Sequence, residues 1–244
     1  MAILRLSPTK VGSWQDCPRK YFFTYIDKGP RRAWAHFSYG NAIHGALKRW
    51  FELPRQARQA QRSGELVQAS WNSSGFRDAD QVDRWRDKAT DAVHRYLSAL
   101  DTSREPLSVE RTLAFKEDTF AMQGRIDRLD ESGDSVEVID YKTGRIASTE
   151  DDARSSPALA MYALMVQRVL QRPCSTVSLH HVPTGTNVSW SHTDESLASH
   201  TRRVTAVAGD ISRGHDTWEA IGDQHDVDAR DTIFPAQPGP LCAF

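Results

Sequence analysis

Two acidic residues and a lysine stand near the ends of neighbouring predicted strands in the segment 124–145, "GRIDRLDESGDSVEVIDYKTGR". The polar, glycine-containing stretch "DESGD" separates two β-like runs and predicts a hairpin. In the second run, the alternation of side chains places Asp140 and Lys142 on the same face. Asp127 ends a polar face of the preceding run. The hairpin can therefore bring two carboxylates and one ammonium group together.

This combination of groups is typical of a site for a hard divalent cation. Two nearby carboxylates repel each other unless a cation lies between them, and carboxylate oxygens suit Mg²⁺ or Mn²⁺. Such a cation polarises a phosphoryl oxygen and lowers the pKa of a water molecule, while an ammonium group stabilises developing negative charge. Asp127, Asp140 and Lys142 are therefore the candidate catalytic residues for phosphodiester hydrolysis. The alternative interpretation is a polar turn at strand ends, where Asp, Lys and Gly are ordinary residues.

Composition and charge limit the classes of protein to consider. The chain has 244 residues, of which 39% are hydrophobic, and this is enough apolar material for one sizeable core. Its net charge is −1, so only local basic patches could hold a polyanion. No apolar run approaches the roughly 20 residues needed to span a bilayer, and the N-terminus lacks the apolar segment of a signal peptide. We therefore expect a cytoplasmic protein that does not act at a membrane.

Helical periodicity dominates the first hundred residues. A short helix is predicted to begin after Ser7, its N-cap, and to end near Cys17, which precedes a proline. Apolar residues at three- and four-residue spacing predict two further helices, over 39–52 and over 82–100. The polar stretch 53–78 between them has no sustained apolar period and is interpreted as helical or irregular.

From about residue 108 the apolar period changes to two, which predicts strands. The predicted strands are 108–115, 119–127, 135–142, 176–182 and 186–190. A helix opened by Pro157 separates the third and fourth strands, and another is expected over 195–211. The acidic stretch 216–231 is expected to be a solvated loop region. This order of elements predicts an α/β fold with a central mixed β-sheet flanked by helices.

The motifs also resemble those of a known family. "GRIDRLD" and "VIDYKTG" are similar to the second and third motifs of the PD-(D/E)XK nuclease superfamily, in its RecB-type branch, which includes AddB nuclease domains and CRISPR-adaptation exonucleases. "LSPTKVGSWQDCPRKYFFTY" resembles the family's opening segment, and "YGNAIHGALKRWFE" resembles its histidine-bearing helix. The resemblance implies a restriction-endonuclease-like core. We therefore expect a single nuclease domain over 1–244, with a helical insertion at about 53–107.

The resemblance also implies the ligands of a metal site. His44, Asp127 and Asp140 would bind Mg²⁺ or Mn²⁺ together with the backbone carbonyl of Tyr141, and Lys142 would be the catalytic lysine. By itself, a histidine on a helix is more often a packed or solvated residue than a ligand. The assignment of His44 therefore depends on the motif that surrounds it.

Candidate DNA contacts lie close to these motifs. "SPALAMYAL" resembles the family's Gln-x-x-x-Tyr helix, in which Tyr162 matches the tyrosine and Ala158 stands where glutamine is expected. A core position is an equally good interpretation of Tyr162. Arg125 and Arg145 are candidate phosphate contacts. Glu110 could be an outer acidic ligand, but we expect it on a solvated face.

The cysteines Cys17, Cys174 and Cys242 are too few and too scattered to predict a disulfide framework. Cys17 and Cys242 resemble the first two of four cysteines that hold a [4Fe–4S] cluster in some relatives. Because such a cluster normally needs four thiolates, the resemblance implies one here only if the natural chain continues with further cysteines. Cys174 is expected to be a buried thiol.

The resulting expectation is a Mg²⁺- or Mn²⁺-dependent DNA nuclease. We expect an exonuclease that acts on single strands or duplex ends in DNA repair, recombination, or phage and defence processes, with a helicase or recombination protein as a further partner. The alternative is a catalytically inactive nucleic-acid-binding subunit of a larger complex. A hydrolase of another phosphodiester or of a small molecule is a third interpretation. An NTP-driven motor is not expected, because the chain has no glycine-rich phosphate loop.

Overall fold

In a computed structural model, the described residues, 3–29, 32–102, 105–222 and 226–239, form a mixed sheet of six strands with helices on both faces. The strands are β1 (Leu4–Leu6), β2 (Ser108–Lys116), β3 (Phe120–Ser132), β4 (Ser135–Lys142), β5 (Thr176–His181) and β6 (Thr186–Ser191). The predicted α/β architecture and its five predicted strands are confirmed. The sequence did not predict β1, which has only three residues.

The helices are α1 (Pro8–Asp16), α2 (Pro18–Tyr21), α3 (Ala35–Glu52), α4 (Ser63–Ser70), α5 (Ala79–Ala99), α6 (Glu150–Ser155), α7 (Pro157–Met165), α8 (Asp194–Ala220) and α9 (Val227–Ile233). Short π-helical segments cover Phe22–Ile26 and Val166–Leu170, and 3₁₀ turns cover Arg55–Ala57 and Ala60–Arg62. Among these helices of the described ranges, none combines the length and the apolar character that crossing a bilayer requires.

The prediction of a solvated loop over 216–231 is wrong. Helix α8 continues through Ala220, and α9 begins at Val227. The acidic residues that favoured a loop act in part as helix-capping groups, since the Asp226 side chain accepts a hydrogen bond from the backbone N–H of Ala229 at 2.7 Å.

Strand β3 organises the sheet. Strand β2 pairs antiparallel along one edge of β3. The other edge is shared, because β1 runs parallel beside residues 120–122 while β4 runs antiparallel beside residues 128–132. Between these two partners, residues 123–127 have an edge that pairs with no strand of the described chain. Strand β5 lies parallel to β4, and β6 lies antiparallel to β5.

Different helices cover the two faces of the sheet. On the first face, α1, α7 and α8 enclose a core that includes Leu159 and Ile211. On the second face, α3, α4 and α5 enclose a core that includes Trp50 and Val93. The segment 53–107 therefore contributes two helices that pack directly against the histidine-bearing helix α3.

The regular strand geometry of β2 and β3 is interrupted near Glu110 and Asp127. Ile126 and Leu129 are both buried in the first core although they are three positions apart, so the alternation of β3 is interrupted between them. The register with β2 is the same on both sides of this point and places Glu110 opposite Asp127. Glu110 has a φ of 50°, a left-handed conformation that is uncommon for residues other than glycine.

A buried polar network lies on the second face, beneath the end of β4. The Arg128 guanidinium is bidentate to the Asp130 carboxylate at 2.8 and 2.6 Å, and it also donates to the Tyr96 hydroxyl at 3.3 Å. The Tyr96 hydroxyl lies 2.7 Å from Nδ1 of His180, a side chain that is 8% exposed. Because the hydroxyl accepts from Arg128, it is free to donate to a neutral imidazole. Burial first, and then the charge of Arg128, lower the pKa of His180 to about 3.

We predict that His180 makes the fold sensitive to acid. The unfolded histidine takes up a proton near pH 6.5 and the folded one only near pH 3, so the free energy of unfolding falls as the pH decreases between these values. In urea unfolding experiments, the loss attributable to His180 between about pH 7.5 and about pH 5 should be about 2 kcal/mol. His180→Asn, which keeps an acceptor for Tyr96, should not show this loss. The exposed His94→Gln is the control, and an equal loss in His180→Asn would contradict the assignment.

Candidate active site

Four elements bring charged groups together at the unpaired edge of β3. Helix α3 supplies His44, β2 supplies Glu110, β3 supplies Asp127, and β4 supplies Asp140 and Lys142. Nδ1 of His44 lies 3.3 Å from Asp127 Oδ1 and 3.9 Å from Glu110 Oε1. Each of these three residues offers one ligand atom, and the three atoms lie within 4.8 Å of one another. This spacing suits a single metal ion.

Asp127 stands where β3 and β4 separate. Its Oδ2 accepts a hydrogen bond from the backbone N–H of Tyr141 at 2.8 Å, so the side chain provides the acceptor for a backbone donor of β4. Its Oδ1 faces His44. The hydrogen bond therefore fixes the direction of the carboxylate. The Tyr141 ring is buried in the second core, and the use of its carbonyl as a ligand stays a prediction.

Asp140 and Lys142 project side by side, as the alternation of β4 predicts. Lys142 Nζ lies 2.7 Å from Asp140 Oδ2. The Asp140 side chain is 18% exposed as a whole, but Oδ2 is buried and accepts no hydrogen bond of regular geometry within the described chain. Burial raises the pKa of Asp140, the charge of Lys142 opposes this, and the charge of Asp127 adds to it. A buried carboxylate oxygen that already lies against an ammonium group fits a cation-binding role.

Asp140 lies outside the group of mutually close ligand atoms that His44, Glu110 and Asp127 form. Its charge nevertheless acts on His44. Burial favours the neutral imidazole, but the hydrogen bond and charge of Asp127, followed by the charges of Asp140 and Glu110, raise the pKa of His44 overall. A positive charge is therefore stabilised at this position, whether a proton or a metal ion supplies it.

The expectation that Glu110 lies on a solvated face is wrong. Its side chain is 8% exposed, and its Oε2 lies 2.8 Å from Nε of Arg125. Burial first, and then the charge of Asp127, raise the pKa of Glu110 despite the opposing charge of Arg125. The burial of Glu110 is not predictable from the sequence, because its left-handed backbone conformation cannot be inferred from a period-two pattern. Its only sequence signal is an acidic residue in a strand adjacent to the motif strands.

His44, Glu110 and Asp127 line a cleft of about 1610 Å³, whereas Asp140 and Lys142 are not among the described residues that line it. Basic side chains line it from several elements: Arg5, Lys10, Lys48, Lys88, Arg125 and Arg145. The side chain of Arg125 is 67% exposed although its Nε pairs with Glu110. The cleft therefore combines an acidic floor with cationic walls, despite the near-neutral charge of the whole chain.

Tyr162 of α7 both lines the cleft and packs against the first core, so both interpretations of this residue have structural support. It lies against the backbone of Gly124, where an added Cβ would be 2.7 Å from Tyr162 Cε1. Glycine is thus required for this close approach. Ala158, at the position of the expected glutamine, lies in the first turn of the same helix but is absent from the lining of the cleft within the described residues.

Cys17 and Cys174 are not among the residues that line the cleft. Cys17 follows α1, and its Sγ accepts a hydrogen bond from the backbone N–H of Gln237 at 3.4 Å, which brings distant parts of the sequence together. Cys242 lies outside the described residues, so the proposed cluster ligands stay a prediction. Cys174 is 1% exposed, which confirms the expected buried thiol, and burial raises its pKa to about 12.

Comparison with known proteins places this arrangement in a family. Residues 5–244 match the family described as the PD-(D/E)XK nuclease superfamily. The chain belongs to this superfamily. The six-stranded mixed sheet flanked by helices is consistent with its restriction-endonuclease-like α/β fold.

The chain is also similar to a solved structure. A crystal structure at 2.19 Å resolution of a provisionally named exonuclease from Eubacterium rectale is 9% identical, with a TM-score of 0.47, over 85% of this chain and 81% of that chain. No functionally curated protein matches the sequence at a significant level.

Members of the superfamily use divalent metal ions, and the residues of this chain fit such an ion. Imidazole nitrogen and carboxylate oxygens converge within the distances that one ion can bridge. The buried Asp140 Oδ2 beside them supports the same conclusion. These oxygen-rich ligands favour Mg²⁺ or Mn²⁺ over metals that prefer thiolates.

We predict that Glu110 contributes to metal affinity. Glu110→Gln keeps an acceptor for Arg125 but removes a negative charge beside His44 and Asp127. Affinity for Mn²⁺, measured by isothermal titration in the absence of DNA, should fall about 10- to 100-fold, which is the usual effect of removing a supporting group of a metal site. Asp134→Asn, in the exposed turn between β3 and β4, is the matched control and should bind as the wild type does. Wild-type affinity in Glu110→Gln would exclude Glu110 from the metal site.

Proposed function

We propose that this protein is a metal-dependent deoxyribonuclease that hydrolyses phosphodiester bonds. The observation that carries the proposal is the convergence of His44, Glu110 and Asp127 within 4.8 Å in a cleft with cationic walls. Membership of the nuclease superfamily supports the same reaction. We also propose that 1–244 acts as a single nuclease domain, with 53–107 as a helical insertion.

The proposed ligands are His44, Asp127 and Asp140, together with the carbonyl of Tyr141, and Glu110 supports them. A Mg²⁺ or Mn²⁺ ion held there would neutralise charge on the scissile phosphate and activate a water nucleophile. Asp127 is oriented for this role by the N–H of Tyr141 at 2.8 Å. The Asp127 carboxylate is therefore already oriented before any substrate binds.

Lys142 is the proposed catalytic lysine. Its ammonium group is 2.7 Å from Asp140 Oδ2, and its side chain is 46% exposed, so it is both held by the carboxylate and accessible from solvent. In this position it can donate a hydrogen bond to a phosphate oxygen on which charge develops during hydrolysis. Arg125 and Arg145 are the proposed phosphate contacts, and Tyr162, which lines the same cleft, is a proposed DNA contact.

The finer substrate assignment is exonuclease action on single strands or duplex ends. The similarity of "GRIDRLD" and "VIDYKTG" to motifs of exonuclease-containing branches supports it. The same similarity motivates a role in repair, recombination, or phage and defence processes, with a helicase or recombination protein as partner.

A catalytically inactive binding subunit is the second candidate function. Ala158, in place of the expected glutamine, favours it. The complete set of Asp127, Asp140 and Lys142, with Lys142 Nζ 2.7 Å from Asp140 Oδ2, argues against it.

We predict that Lys142→Gln lowers the rate of cleavage by about 100- to 1000-fold, because one preorganised donor to the transition state is lost. End-labelled single-stranded and double-stranded DNA would be incubated with Mg²⁺, Mn²⁺ or EDTA. Lys116→Gln, an exposed lysine on β2, is the matched control and should cleave at the wild-type rate. Metal-dependent cleavage that survives in pure Lys142→Gln would refute the assigned role. DNA binding by the wild type without any cleavage would favour the binding subunit.

A further inference from the structure

An exposed aromatic residue, Phe37, lies at the edge of the cleft. It belongs to the first turn of α3, and its side chain is 61% exposed. The ring of His36 lies beside it, with ring centroids 4.3 Å apart. Single exposed apolar residues are common on protein surfaces. What distinguishes Phe37 is that it lines the same cleft as the carboxylates.

The spacing along α3 connects Phe37 to the candidate metal site. Phe37, Asn41, His44 and Lys48 recur at three- and four-residue steps and all line the cleft. His44 follows Phe37 by seven positions, which corresponds to about 10 Å along the helix axis. This length matches about three stacked nucleotides at 3.4 Å each. A strand whose phosphate lies near His44 therefore has a base within reach of Phe37.

Cationic side chains from other elements line the same cleft as Phe37. The loop that carries Arg145 touches α3 one turn after Phe37, where an added Cβ on Gly40 would lie 3.0 Å from Thr143 Oγ1. Lys88 belongs to α5, which packs against α3, and its Nζ lies 5.7 Å from the ring centroid of Trp85. A cleft that combines an exposed aromatic ring with cationic side chains is the arrangement that binds single-stranded nucleic acids, with stacked bases and contacted phosphates.

We propose that Phe37 is a base-stacking residue that binds an unpaired nucleobase of a single strand lying in the cleft. The inference rests on the proposed function, and it names the form of the substrate. Bases inside a duplex have both faces covered by their neighbours, so only an unpaired or terminal base can offer a face to Phe37. The cationic walls favour a nucleic acid strand over an apolar peptide as the occupant, and the cleft is continuous with the proposed site of hydrolysis.

The test compares binding of a labelled oligothymidylate and of a blunt duplex of equal length by fluorescence anisotropy, with EDTA present to prevent cleavage. Phe37→Ala should raise Kd for the single strand about 5- to 150-fold, equivalent to the loss of 1–3 kcal/mol for one stacked base. Its Kd for the duplex should change much less, and Phe37→Trp should restore binding of the single strand. Phe23→Ala is the matched control, since Phe23 is 43% exposed but lies against Arg230 outside the cleft.

A second readout uses 2-aminopurine placed along the single strand. Its fluorescence should be quenched by stacking in the wild type and restored in Phe37→Ala. Equal weakening of single-strand and duplex binding in Phe37→Ala, or unchanged single-strand binding, would overturn the stacking proposal. Metal-dependent cleavage by the wild type, measured in parallel, would leave the proposed function intact in that case. Absence of both DNA binding and cleavage in the wild type would overturn both proposals.

Discussion

The carboxylate of Asp127 accepts a hydrogen bond from the backbone N–H of Tyr141 where β3 and β4 separate. The shape of the cleft depends on this hydrogen bond. Two strands cannot separate inside a protein without leaving backbone donors and acceptors unpaired, which costs about 1–3 kcal/mol for each buried group. A side chain that replaces the missing backbone acceptor removes this cost for Tyr141. The same carboxylate presents its second oxygen to His44. The Asp127 side chain therefore both allows β3 and β4 to separate and helps to form the candidate metal site.

Around the point where β3 and β4 separate, acidic and basic side chains offset one another's charges. Glu110 and Asp140 have raised pKa values because burial disfavours their ionised forms. Arg125 pairs with the first and Lys142 with the second, while His44 faces Asp127. Of these cations, Arg125 and His44 also line the cleft. The left-handed backbone at Glu110 is a further local cost, and such conformations persist where surrounding structure holds them.

The chemistry was easier to predict from sequence than the geometry that supports it. Alternation along β4 was enough to place Asp140 beside Lys142, and "DESGD" was enough to predict the hairpin. His44 could be selected only through the motif around it, because a helical histidine carries no signal of its own. The burial of Glu110 depends on one φ angle and on an interruption in β3, and neither has a periodic signature. β1 was missed because its pairing with β3 joins residues far apart in the sequence, and the exposed position of Phe37 depends on which neighbours fold over it.

The candidate carboxylate ligands and part of the cleft lining come from different segments of the chain. Strands β2, β3 and β4 carry the carboxylates, whereas α5, within 53–107, adds Trp85 and Lys88 to the lining of the cleft. Because α5 also packs against α3, which carries His44, the second core connects this part of the lining to one of the candidate ligands. Interiors are close-packed, so a change of volume at a buried residue of α5 such as Val93 would shift its neighbours. A core mutation far from the cleft could therefore displace His44 relative to the carboxylates without altering any residue that lines the cleft.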